Sequence, residues 1–208
     1  MTGAPFGLTP GEARTLARLQ PPAKLQRFLD DLDYDVAGAS CRSPRRVLRE
    51  RKVQCMDGAL FAAAALRVQG HRALILDFEA VNDVDHVIAV FRQNGGWGGL
   101  ARSNYAGLRY REPIHRTLRE LALSYFHEYS NRRGHKTLRS YSCSFDLRRV
   151  DPAEWVTNTK SCWRTHDRLV ELRHFDLISK RQERLLAKRD PFERRASRLV
   201  EYPKPEIA

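Results

Sequence analysis

An α+β fold is what this sequence predicts, on three observations. Residues 55–69 (CMDGALFAAAALRVQ) are apolar almost all the way round a helix, the mark of a helix buried on several sides. Two strand-like runs follow directly, residues 73–80 (ALILDFEA) and 85–93 (DHVIAVFRQ), joined by the polar turn Val81-Asn82-Asp83-Val84. Strands joined so tightly pair antiparallel, because a parallel pair needs a crossover of about a dozen residues or more. Helical segments on either side complete the class: N-terminal helices, a buried central helix opened by a cysteine, an antiparallel sheet, and C-terminal helices.

The N-terminal portion begins at Thr9-Pro10-Gly11-Glu12, with Thr9 as N-cap, Pro10 at the first helical position and Glu12 closing a capping box. Pro21-Pro22 ends that helix, and Leu25, Phe28, Leu29 and Leu32 keep helical spacing in the next. Ser43-Pro44 opens a third short helix through Val47 and Leu48. The central helix stops at Gly70, a natural C-cap. Asn94-Gly95-Gly96 is a hairpin signal, with the returning strand starting at Trp97. After Pro113, the residues Ile114, Leu118, Leu121, Ala122, Tyr125, Phe126 and Tyr129 form one apolar stripe, predicting a helix that ends at 131–134. Residues 137–147 predict another strand, and the chain from Asp151 predicts two or three charged helices with a proline-containing tail. No internal repeat or linker is visible. The expectation is one domain over residues 1–208, with a core at 41–112 and an extension at 113–208.

A chain of 208 residues is long enough for one well-buried core. Its 42% hydrophobic and 30% charged residues exclude a disordered or membrane-embedded class. The longest uncharged apolar run covers residues 59–66, far short of the roughly 20 needed to cross a bilayer. Met1 to Phe6 contains no basic segment and no apolar stretch behind it, so the cytosol is the expected compartment. The four cysteines (Cys41, Cys55, Cys143, Cys162) form no CxxC pair and have no histidine at zinc-ligand spacing. Free thiols in a reducing compartment follow, with no metal or other cofactor. The net charge is +12, and residues 100–208 hold 24 basic against 14 acidic side chains. A surplus of that kind can attract nucleic acid. Here the basic residues are interleaved with acidic ones and carry no nucleic-acid-binding signature, so a solvated surface is the simpler reading.

Chemistry is suggested at one place. Cys55 opens the buried helix, where unpaired N–H groups and the positive end of the helix dipole favour a thiolate and an oxyanion. Asp57 and Gly58 suit a first turn, and Gly58 leaves room beside the sulfur. His86 supplies a base if its strand face, shared with Ile88 and Val90, packs on the helix N-terminus. A third group depends on hairpin register. A two-residue Asn94-Gly95 turn sets Ser103 opposite His86, whereas a three-residue turn sets Asn104 there. Asn104 is the favoured orienter, since its amide oxygen accepts from an imidazole N–H, and Ser103 is the alternate. Asp85 alternates to the other face. His71, His115, His127, His135, His166 and His174 have surface or packing roles in this reading, and Cys41, Cys143 and Cys162 are structural. Trp97, Trp155 and Trp163 are expected as core anchors.

The order CMDGALFAAAALRVQGHRALIL, then DHVIAVFRQNGGWGGLARSN, resembles the core of the transglutaminase-like superfamily over residues 41–112. Members open a buried helix with a nucleophilic Cys and end it with Leu-Arg-x-x-Gly. They carry a His on the next strand pair, then a Gly-rich turn, a Trp, and an Asp on the returning strand. By that resemblance Cys55 is the nucleophile, His86 the base and Trp97 a landmark. The Asp has no counterpart, because residues 100–105 hold no carboxylate, and this leaves Asn104 or Ser103. Related papain-type hydrolases use Asn there. The resemblance implies attack of a thiolate on a peptide or protein amide, with hydrolysis or acyl transfer. No calcium site is readable. The competing expectation is an inactive member of the fold that binds a protein or nucleic acid through its basic half.

Overall fold

The structure is a computed structural model, describing residues 5–38 and 40–203. Residues 1–4, on which the expectation of no leader partly rests, lie outside the described ones. The architecture is α+β: short helices surround one seven-stranded antiparallel sheet.

Helix α1 (Pro10–Ala17) starts as the sequence requires, with Thr9 and Glu12 exchanging both capping-box hydrogen bonds. Helix α2 (Pro22–Asp30) follows, and Ser43 caps α3 (Pro44–Glu50). Between them β1 (Asp33–Tyr34) pairs in parallel with β2 (Lys52–Val53). Helix α4 (Cys55–Val68) is the centre, with buried residues at every position from Met56 to Leu66. Alanines 62–65 let its neighbours approach, and α1, α2, α3 and the sheet all pack on it.

The sheet begins with β3 (Leu74–Ala80), β4 (His86–Gln93) and β5 (Gly96–Leu100). The β4–β5 turn is the two-residue form: Asn94 and Gly95 both have positive φ, 49° and 84°, and Gln93 pairs with Gly96. The last β4–β5 pair is Ala89 with Leu100. Beyond it the strands part, and Ala101 N–H donates to the Gln26 side chain instead.

Residues 111–115 form strand β6 (Arg111–His115), not the start of a helix. Ile114 is 76% exposed, so the apolar stripe truly begins at Leu118. The reason lies in β5, whose glycines admit β6 at close range: a Cβ on Gly96 would fall 1.9 Å from the Pro113 carbonyl oxygen. Helix α5 (Leu118–Phe126), capped by Thr117, then covers the sheet face opposite α4. The strand expected over 137–147 breaks at Cys143 into β7 (Leu138–Ser142) and β8 (Phe145–Asp146), both paired with β3.

After Asp151 come α6 (Pro152–Trp155), α7 (Trp163–Val170), α8 (Lys180–Arg184) and α9 (Pro191–Ala196). A short strand, β9 (His174–Asp176), has no counterpart in the sequence reading and pairs with β7. The sheet order is β6-β5-β4-β3-β7-β9, so the C-terminal half supplies strands to the sheet that packs on α4. Alternation along β3 and β4 separates two cores. Ile75, Val87, Ala89 and Phe91 face α4, whereas Leu74, Leu76, Ile88 and Val90 face α5. Trp155 is a core anchor, but Trp163 is 41% exposed and Trp97, on the inner strand β5, is only half-buried. No helix among the described residues is long and apolar enough to cross a membrane.

Candidate functional site

Cys55 sits at the first position of α4, as expected, and keeps part of its surface open. The helix start is held by Asp57, whose carboxylate accepts from the backbone N–H groups of Gln54 and Arg42 and from the Ser40 hydroxyl. Arg42 bridges Asp35, Glu50 and Asp57. Gly58 leaves room for Arg102 rather than for substrate: an added Cβ would fall 2.8 Å from the Arg102 Cβ.

Burial raises the Cys55 pKa, with the charges of Asp57 and Asp77 adding to it. The backbone N–H groups of Val87 and Met56 work in the opposite direction. The Val87 amide is available for this because of the hairpin. Residues flanking a two-residue turn form a hydrogen-bonded pair, and every second residue of β4 repeats it, so Val87 N–H points toward β5. With β5 gone after Leu100, that amide has no strand partner on this side.

His86 lies next to Val87 at the same end of β4, but its ring leaves on the α5 face with Ile88 and Val90. The face packed on α4 is that of Val87, Ala89 and Phe91, so the condition under which the His86 face would cover Cys55 is not met. No hydrogen bond joins the two side chains among the described residues. His86 Nε2 stands 2.9 Å from the Leu108 carbonyl oxygen. A carbonyl only accepts, so Nε2 carries the hydrogen. Burial lowers the ring pKa to about 4, with the Leu108 carbonyl opposing and Arg111 adding. The imidazole is therefore neutral at pH 7, and its Nδ1 has a free lone pair.

Neither proposed orienter is used. The two-residue turn removes the register that would put Asn104 opposite His86, and Asn104 instead binds the main chain of Tyr202. Ser103 would face His86 if the true register continued, but β5 has left the sheet, and the Ser103 hydroxyl accepts from the Tyr105 N–H. The group that fixes the imidazole is a main-chain oxygen, which no side-chain pattern reveals.

A second titratable pair was missed. Asp77, on the α4 face of β3, contacts His174 Nε2 at 3.2 Å from β9, while His174 Nδ1 is 2.7 Å from the Leu172 carbonyl oxygen. Burial and the charge of Asp85 raise the Asp77 pKa to about 6, against the pull of His174. A carboxylate within the apolar run LILDF of β3 was the available signal. Its partner, about a hundred residues away, was not readable.

Cys41 and Cys162 are buried beside each other, and burial together with that contact raises the Cys41 pKa. A hollow of about 210 Å³ lined by Val81, Lys136, Thr137 and Glu183, among others, has neither Cys55 nor His86 in its wall. Among the described residues no group of three or more His, Cys, Asp or Glu side chains can hold a metal ion. Several arginines of the basic half bind internal groups: Arg111 the carbonyls of Gly107 and Tyr110, Arg119 that of Leu177, and Arg139 the carboxylate of Glu183. Comparison with protein-family models gave no match, and comparison with curated proteins gave no similar sequence.

Proposed function

We propose that the protein carries out thiol-dependent acyl transfer or hydrolysis at an amide or peptide bond, on a transglutaminase-like fold, with Cys55 as nucleophile and His86 as base. The observation that carries this reading is the state of the imidazole. The Leu108 carbonyl holds the Nε2–H tautomer, which leaves Nδ1 free to accept a proton, on a ring that rests on the sheet face away from Cys55. A raised thiol pKa and a lowered imidazole pKa make the resting pair neutral, so the thiol is a general-base nucleophile rather than a standing thiolate.

In this mechanism the thiol proton passes to His86 Nδ1 as sulfur attacks the carbonyl carbon. The Met56 N–H at the helix start stabilises the oxyanion, and the imidazolium returns its proton to the departing amine. Water or a second amine then releases the acyl group from the thioester. Turning Nδ1 onto the sulfur requires the His86 ring to be reached through the gap left by β5. The place of action in this reading is the cytosol, where the four free thiols stay reduced.

The test is acylation. The protein is incubated with an activated ester, and adducts are mapped by mass spectrometry. The acyl group is expected on Cys55, with a rate about a hundredfold lower in His86→Ala. Equal labelling of Cys55 and Cys143, or rates that ignore His86, ends the proposal.

A further inference from the structure

We infer that residues 102–109 form a docking groove for an extended acidic peptide, filled in the resting protein by the chain's own residues 200–202. The tail lies there as an added strand, with Tyr105 and Val200 forming an antiparallel bridge and the Glu201 N–H donating to the Asn104 carbonyl at 3.1 Å. The Asn104 side chain binds the main chain of Tyr202 in both senses: its amide oxygen accepts from the Tyr202 N–H at 2.8 Å, and its Nδ2 donates to the Tyr202 carbonyl at 2.9 Å. That pair reads backbone and accepts any residue except proline.

Charge selects the ligand. The Glu201 carboxylate is gripped by Arg102, at 2.8 Å, and by Arg109. Arg102 is fully buried; it also donates to the Leu32 and Ser103 carbonyls, and its Nε has no partner. Its guanidinium lies between the rings of Tyr34 and Tyr202, 5.4 Å and 5.6 Å from their centroids. Arg109 is fixed by the Ser103 carbonyl. Two oriented guanidiniums on one carboxylate form a built acid-binding site.

The tail is not held by apolar packing. Leu199 is 74% exposed, Glu201 is at the surface, and Val200 and Tyr202 are only half-buried. Main-chain pairing, one carboxylate and one aromatic ring are what any extended segment with Glu before an aromatic residue offers, so a partner's segment can take the tail's place. The groove stands on these contacts alone. Should the acyl-transfer reading hold, it also explains delivery, because Arg102 rests on Gly58, in the same first turn of α4 as Cys55.

The test uses the full chain and a labelled peptide, Leu-Val-Glu-Tyr-Pro, followed by fluorescence anisotropy. Glu201→Lys sets the tail against Arg102 and Arg109, and this variant is expected to bind the peptide at least about tenfold more tightly than wild type, where the tethered tail competes. A peptide with Gln for Glu, or Asn104→Ala added to the variant, is expected to lose about tenfold again. Tyr202→Pro, which removes the N–H read by Asn104, is the second way to loosen the tail. No binding by either folded variant, or binding indifferent to Asn104→Ala, overturns the inference. So does unfolding of both variants, which makes the tail part of the core. Peptide binding without acylation of Cys55 leaves the groove standing and removes the acyl-transfer reading alone.

Discussion

The Nε2 of His86 lies 2.9 Å from the carbonyl oxygen of Leu108, across 22 residues of chain. One main-chain acceptor thereby does what a carboxylate or amide side chain was expected to do. It fixes the ring and its tautomer without adding charge, so it opposes only part of the burial that keeps the imidazole neutral.

The first prediction concerns pH. The His86 pKa is about 4 in the fold against 6.5 in the unfolded chain. Stability from keeping this ring neutral is fully present above pH 6.5 and is lost as pH falls toward 4, by about 3 kcal/mol at most. His86→Gln can still donate to Leu108, so urea unfolding of the variant should lose less stability than wild type between pH 7 and pH 4.5. Parallel curves would show that the ring is not buried neutral. The same variant removes the proposed base and should slow acylation of Cys55 about a hundredfold.

The second prediction concerns Asp77 and His174. Removing His174 leaves Asp77 buried without its partner, and His174→Ala should cost about 3 kcal/mol near pH 7. Asp77→Asn in that background should restore part of the loss, because a neutral amide can be buried more cheaply than a carboxylate. Additive effects of the two substitutions in a double-mutant cycle would mean that the 3.2 Å contact carries no coupling.

The third prediction concerns Gly58. A methyl group there falls 2.8 Å from the Arg102 Cβ and 3.5 Å from its backbone nitrogen. Gly58→Ala should destabilise the protein by about 1–3 kcal/mol in thermal or urea unfolding. An unchanged midpoint would show that Arg102 moves freely.

The fourth prediction concerns the hairpin. Gly95 has a φ of 84°, and Gly95→Val should cost about 1–2 kcal/mol, since a branched side chain is strained there. Nothing lies within 4 Å of a Cβ at this position, so the loss measures backbone strain without a clash. An equal loss for Gly95→Asn, which tolerates this conformation, would argue against the turn type.

What the sequence disclosed follows from how local each signal is. The Thr9 and Ser43 caps, the apolar α4 and the β3–β4 pair came out within a residue or two, because each is written in neighbouring side chains. The stripe through Ile114 misled, because helical spacing says nothing about a glycine-lined strand that lets Pro113 come close. At the site, Cys55 was legible from its place at the helix start. The facing of His86 was not, since alternation gives two faces and only the position of α4 chooses between them. The partners of His86 and Asp77 come from Leu108 and His174, one a main-chain group and the other distant in sequence, and neither leaves a local pattern.

The early parting of β5 from β4 has a wider consequence. Had the ribbon zipped two residues further, Val87 and Arg102 would have closed their ladder on each other as ordinary sheet. An unfinished hairpin leaves one amide hydrogen looking for an acceptor. The thiol of Cys55 stands at the helix tip beside that gap, so the proposed chemistry would be a by-product of where a strand stops.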